Sequence, residues 1–256
     1  MSIDVRRVPV AERTIGGPDG RISLRVFTPP EVRSVYLHLH GGGWVSGSAR
    51  NQDGSLIALA TSCGAAVVSV EYRLAPKHPD PAAPDDCEAA AVWLAEQSMS
   101  ELGTDRLWIG GESAGAQLAV LTLIRLRDRH GFLGFSAANL VFGVFDLGLT
   151  PSARRWATTP DLDWCVDQFV PRHRRRSPGV SPLHADLSNL PDALFTVGSL
   201  DPLLDDSVLM ARRWTAAGNR AALAVYPGGA HSFTSDGSEL AETANRRISE
   251  FLRQHL

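Results

Sequence analysis

Residues 106–131 read RLWIGGESAGAQLAVLTLIRLRDRHG. The first eight, RLWIGGES, have the apolar run of a strand that ends in glycines. The remainder is apolar on nearly every side, as a helix buried against a sheet must be. Between the two lies Gly111-Glu112-Ser113-Ala114-Gly115, a G-x-S-x-G match. Alone that match is weak. Here a strand precedes it, a buried helix follows, and small residues flank the serine on both sides. Those are the requirements of a strained strand-to-helix turn that lifts a hydroxyl above the end of a sheet. A serine that only caps the helix would fit the same residues. The two roles are compatible, because a helix N-terminus also favours negative charge developing nearby.

Outward from this unit the same alternation recurs. Upstream, IDVRRVPV (3–10), ISLRVFTP (22–29) and SVYLHLH (34–40) read as extended, and AAVVSVEYR (65–73) is strand-like. A proline-rich turn then leads into an alanine-rich helix from Cys87 to about Met99. Downstream, ANLVFGVFDL, ALFTVGSL and AALAVYP read as strands, with helices over LDDSVLMARRWTAAG and roughly Ser238 to Gln254. Extended segments first and βα repeats afterwards imply an α/β fold, with a mostly parallel central sheet of about eight strands and helices on both faces. Residues 148–180 lose the period, with Pro151, Pro160, Pro171 and Pro178 scattered among Trp156, Trp164 and Phe169. That stretch reads as an irregular cap or lid insertion in a single domain spanning 1–256.

Bulk properties narrow the function. The chain has 256 residues, 44% of them hydrophobic, enough for one large core, and its net charge of −3 gives no footprint for nucleic acid. The basic cluster RHRRR at 172–176 reads as a solvated loop. Cys63, Cys87 and Cys165 are odd in number and far apart, with neither a zinc spacing nor a disulfide framework, so a reduced, cytoplasmic setting is expected. The N-terminus lacks the apolar stretch of a signal peptide. No uninterrupted apolar run is long enough to span a membrane.

A serine hydroxyl becomes a nucleophile only when a base takes its proton and an acid orients that base. In a sheet with this elbow the chain order is serine, then Asp or Glu, then His, with both partners on loops after later strands. Of the eight histidines only His231, in VYPGGAHSF, follows a late strand. Asp201 comes directly after ALFTVGSL, at the end of a strand where α/β sheets place their ligands. Asp205 and Asp206 lie one helical turn further on and read as first-turn charges. Asp192 precedes the strand and falls at the wrong edge.

Attack by Ser113 would create an oxyanion needing N–H donors aimed at it in advance, each worth about 3–4 kcal/mol in the barrier. One is expected from Ala114, the residue after the nucleophile. The others should come from the loop after the third strand, where HGGGWVSGS begins at His40. Gly42 and Gly43 are the expected donors, because a backbone without side chains can approach the substrate closely. His40 is expected to hold the loop rather than transfer protons. Trp44, Trp156, Trp164 and Phe169 are candidates for an apolar substrate pocket.

HGGGWVSGS, EYRLAPKHPDPAAPDDC, GGESAG, SPLHADLSNLP, GSLDPLLDD and GGAHSF occur in that order. In this the chain, from about residue 35 onward, resembles the hormone-sensitive-lipase-like bacterial carboxylesterases of the α/β-hydrolase fold. The resemblance implies Ser113, Asp201 and His231 as triad, and Gly42, Gly43 and Ala114 as oxyanion donors. It also implies hydrolysis of small, short-chain acyl esters through an acyl-enzyme, without cofactor or metal, by a monomer or homodimer. Three features differ from the family. Only 39 residues precede His40, so a reduced cap is expected; Glu112 stands where aspartate is more usual; and Ser232 follows the histidine where glycine is common. Two rival expectations remain: an amide hydrolase such as a kynurenine-formamidase-like enzyme, and a non-catalytic ligand-binding protein on the same scaffold.

Overall fold

A computed structural model describes residues 8–155 and 161–256. Its centre is one eight-stranded sheet in the order β1-β2-β4-β3-β5-β6-β7-β8. The strands are β1 Val10–Gly17, β2 Gly20–Phe27, β3 Ser34–Leu39, β4 Ala65–Glu71, β5 Leu107–Glu112, β6 Phe135–Val141, β7 Asp192–Gly198 and β8 Ala221–Tyr226. β1 pairs antiparallel with β2 and β2 antiparallel with β4, while every later pairing is parallel.

The helices are α1 Asp53–Cys63, α2 Ala82–Leu102, α3 Ala114–His130, α4 Leu162–Phe169, α5 Leu204–Ala216 and α6 Glu239–Arg253. Strand alternation assigns them to faces. Val35, Leu37 and Leu39 of β3 pack in one core with residues of α2, α3 and α5, whereas Tyr36 packs in the other with α1 and α6. α3 is buried along eleven of its seventeen residues and ends at Gly131, which takes the left-handed conformation at φ 62°. α6 is buried only at Ala241, Ala244, Ile248 and Leu252, a single stripe. Among the described residues, no helix is long and apolar enough to cross a membrane.

The strand order places the site. β3 lies between β4 and β5, so the chain runs from β3 to one side and returns past it to the other. The C-terminal ends of β3 and β5 therefore flank a topological switch point, where open α/β sheets form their crevice. The glycine loop leaves β3 there, and Ser113 leaves β5 there.

Four elements differ from the sequence reading. β1 is VAERTIGG rather than IDVRRVPV; of the latter, residues 3–7 lie outside the described residues. As an edge strand that buries little beyond Ile15, β1 has no alternation to read. α1 went unanticipated, because it buries only Leu56, Ala60 and Cys63 amid serine, threonine and glycine. α2 starts at Ala82, ahead of Pro84, since proline in a first turn lacks only a donor that would have no partner anyway. α4 lies inside the stretch read as irregular. Its Leu162, Cys165, Val166 and Phe169 form a short apolar stripe, started by Asp161, whose carboxylate accepts from the Trp164 N–H at 2.7 Å.

Candidate active site

Ser113 joins β5 to α3 at φ 55°, ψ −118°, a conformation costing a non-glycine residue on the order of 1–3 kcal/mol. The neighbours explain how it is imposed. A Cβ on Gly111 would sit 2.1 Å from the Leu39 carbonyl oxygen, and one on Gly115 only 1.9 Å from it. The end of β3 thus presses directly on the elbow, and only glycine fits on either side of Ser113. The Ser113 N–H donates to the Val141 carbonyl at 2.9 Å, anchoring the turn to β6. Ala114 follows in the first turn of α3, where N–H groups have no acceptor within the helix.

The loop after β3 folds around Gly42, at φ 120°, and Gly43, at φ 59°. The Gly42 carbonyl accepts from the Val45 and Ser46 N–H groups at 3.2 and 3.0 Å, and from the Ser46 hydroxyl at 2.9 Å. A Cβ on Gly42 would meet the Ser46 carbonyl oxygen at 2.2 Å. His40 braces this loop from below. Its ring stacks on Tyr72 with centroids 4.0 Å apart, and the Tyr72 hydroxyl donates to the His40 carbonyl at 2.6 Å. Burial pushes the His40 pKa down to about 4, so the ring is neutral near pH 7 and Nδ1–H donates to the Gly41 carbonyl at 2.8 Å.

Asp201 and His231 arrive on the loops after β7 and β8. These loops touch at Gly198 and Gly229: a Cβ on Gly198 would lie 2.0 Å from the Gly229 carbonyl oxygen. Nδ1 of His231 lies 3.0 and 3.2 Å from the two Asp201 carboxylate oxygens. Asp201 is wholly buried and also accepts from the Leu203 N–H at 2.8 Å, so its carboxylate cannot swing away. The His231 side chain stays 21% exposed, with its ring against Phe142 at 4.8 Å. Ser232 sits at φ 68° in the left-handed region.

A cavity of about 390 Å³ is lined by Ser113, His231, Gly42 and Gly43 together. The other acids do different work. Asp206 is buried and accepts from the N–H groups of Phe145 and Asp146 and from the Thr150 hydroxyl; burial pushes its pKa up to about 6. Asp205 accepts from the Ser152 N–H, and Asp192 faces His255. Among the described residues, no group of three or more His, Cys, Asp or Glu is placed to hold a metal ion.

The aromatic pocket needs correcting. Trp44 is fully buried, donates its indole N–H to Gln117 at 3.0 Å and stacks on Phe169 at 4.8 Å. Both rings fill the core beneath the loop and do not line the cavity. Trp164 is 47% exposed and does not line the cavity, and Trp156 lies outside the described residues. The apolar lining is instead Phe142, Leu162 and Cys165. Phe142 directly follows β6, a position the sequence could have flagged; Leu162 and Cys165 depended on recognising α4. Nor is RHRRR merely a solvated loop. Arg175 binds Asp163 and Asp167, Arg172 binds Asp167, and Arg174 pairs with the buried Asp80, so the cluster clamps α4 in place.

Comparison with known proteins gives a consistent picture. The family described as alpha/beta hydrolase fold matches residues 36–235. Carboxylesterase NlhH of Mycobacterium tuberculosis is 37% identical, over 88% of this chain and 76% of its own length. The ethyl acetate hydrolase of Pseudomonas putida is 34% identical, over 96% and 83%. Among solved structures, an esterase from Pyrobaculum calidifontis superposes with a TM-score of 0.91 at 34% identity, over 98% of this chain and 88% of that one.

Proposed function

We propose, from the premise that this chain belongs to the α/β-hydrolase fold family, that it is a serine carboxylesterase with Ser113 as nucleophile, His231 as base and Asp201 as the group orienting that base. The observation carrying this reading is the Asp201–His231 hydrogen bond, made at the cavity that also exposes the strained Ser113 to the glycine loop. With Nδ1 held by Asp201, the other ring nitrogen is the one that takes the Ser113 proton. The serine oxygen attacks the ester carbonyl, and the oxyanion is met by the N–H groups of Gly42, Gly43 and Ala114. Collapse expels the alcohol, which receives its proton from His231. Water, deprotonated by the same ring, then frees the acid and restores Ser113.

Small substrates fit a cavity of about 390 Å³ whose apolar lining is limited to Phe142, Leu162 and Cys165. The relatives are named as hydrolases of carboxylic esters, ethyl acetate among them, which favours esters over amides and short acyl groups over long ones. The three cysteines are buried and unpaired, in keeping with a reducing cytoplasm. Ser113→Ala tests the reading: hydrolysis of p-nitrophenyl acetate and butyrate should vanish with thermal unfolding little changed. Turnover retained in that variant would remove Ser113 from the mechanism. A fluorophosphonate probe should label the wild type on the Ser113 peptide and leave the variant untouched.

A further inference from the structure

A second cavity, of about 750 Å³, lies between α1 and α6 on the face of the sheet that carries Tyr36. It meets the first at Gln52, Glu112 and Ser235, which line both. We propose that it is the alcohol-side subsite of the enzyme and takes a polyhydroxylated arm, as in a sugar or polyol ester. This rests on the esterase reading above.

The sheet floor is apolar at Val141 but carries a polar pair, Tyr36 and Asn139, where a sheet face beneath helices is ordinarily apolar throughout. The Asn139 amide donates to the Tyr36 hydroxyl oxygen at 3.2 Å, across Gly110 of the intervening strand. A Cβ on Gly110 would meet that hydroxyl at 2.2 Å, so the glycine makes room for the bridge. Asn139 is 3% exposed, and its Oδ1 has no hydrogen-bond partner among the described residues. At the neck, the buried Oε1 of Gln52 has none either. Buried polar atoms of this kind are destabilising unless a bound group satisfies them.

Charge and direction decide the occupant. The carboxylates of Glu112, beside His38 at 3.1 Å, and Glu242 disfavour an anion, while Arg246 and Arg253 along α6 disfavour a cation. Hydroxyl groups both donate and accept, so a neutral polyol can satisfy Asn139, Gln52 and Glu112 at once. The leaving oxygen must take its proton from His231, so the alcohol arm departs past that ring. Ser235, four residues beyond His231, lines the way into the second cavity.

The test compares kcat/KM for 6-O-acetylglucose and cyclohexylmethyl acetate, two acetates with six-membered arms, taking phenyl acetate as reference. The wild type should favour the sugar ester by about tenfold or more, because a site built to hydrogen-bond hydroxyls discriminates against an arm that lacks them. Asn139→Leu should bring the two within about threefold, leaving phenyl acetate turnover within about twofold of wild type. Should that variant fail to fold, Ala58→Trp, at an exposed α1 position on the rim, should obstruct the same arm. A wild-type ratio at or below one, or a ratio that neither folded variant moves, overturns the subsite and leaves the esterase reading standing. Phenyl acetate hydrolysis that is absent in the wild type, or that survives in Ser113→Ala, overturns the esterase reading itself.

Discussion

The two sides of the cavity around Ser113 are held by different forces. On one side the elbow and the glycine loop are fixed by main-chain contact: Gly111 and Gly115 lie against Leu39, and Gly42 lies against Ser46. On the other side α4 presents Leu162 and Cys165, held by side chains: a tryptophan-phenylalanine stack beneath and an arginine clamp outside. Backbone contact tolerates almost no substitution, because there is no rotamer to shift. The side-chain wall can change its residues and still close the cavity. On the proposed mechanism, chemistry resides on the rigid side and selectivity on the adaptable one.

That contrast can be pressed, starting with the largest effect. Ser113→Gly should abolish ester hydrolysis and yet raise stability by about 1–2 kcal/mol, since glycine accepts φ 55°, ψ −118° without strain. Denaturant unfolding with an activity assay checks both halves; a destabilised variant would show that the elbow is not strained. Asp201→Asn should cut kcat on the order of 10⁴-fold, by presenting the wrong hydrogen-bonding pattern to Nδ1 of His231. A smaller loss, with kcat and KM moving together, would point to a structural role for the carboxylate.

Gly43→Ala tests the boundary between the two sides. Its Cβ would be 3.0 Å from the Cys165 sulfur, at a backbone φ of 59°. We expect kcat to fall about 10²-fold with KM little changed, because displaced donors miss the transition state rather than the substrate. Cys165→Phe should act on selectivity alone, lowering the butyrate-to-acetate ratio of kcat/KM about tenfold, while fluorophosphonate labelling of Ser113 proceeds as before. Unchanged acyl preference would show that α4 does not bound the acyl group.

The smallest effect is one of pH. Asp206 ties the segment after β6 to α5, and burial lifts its folded-state pKa to about 6 from 3.8. The stability linked to its protonation is fully present below about pH 3.8 and is lost as pH rises through about 6. Asp206→Asn should flatten that part of the stability profile, measured as Tm from pH 4 to 7, while ester turnover at pH 8 changes little.

The legibility of the sequence follows the same division. Ser113, Asp201, His231 and the glycines could be proposed from the sequence because each sits where a strand ends and few residue types satisfy the backbone. The Asp201–His231 bond depends on two loops meeting at Gly198 and Gly229, yet strand order alone put both residues at the same edge of the sheet. α4 went unread because eight residues with one apolar stripe, among prolines and charges, carry little periodic signal. The aromatic residues misled for a related reason. Trp44 follows three glycines in sequence, but its ring turns down onto Phe169 and Gln117, away from the loop's open side.

What the sequence determined by itself is the βα alternation from β2 onward, apart from α1 and α4, and the strand-to-helix elbow at Ser113. Each of those is set by residues close together in the chain, through period, turn geometry and glycine's conformational range. The tertiary structure alone decided which apolar groups wall the cavity, that RHRRR clamps a helix, and that Tyr36 reaches Asn139 over Gly110. Those contacts join residues from 5 to 103 positions apart. No local pattern encodes such a pairing, because it exists only once the sheet has set its neighbours side by side.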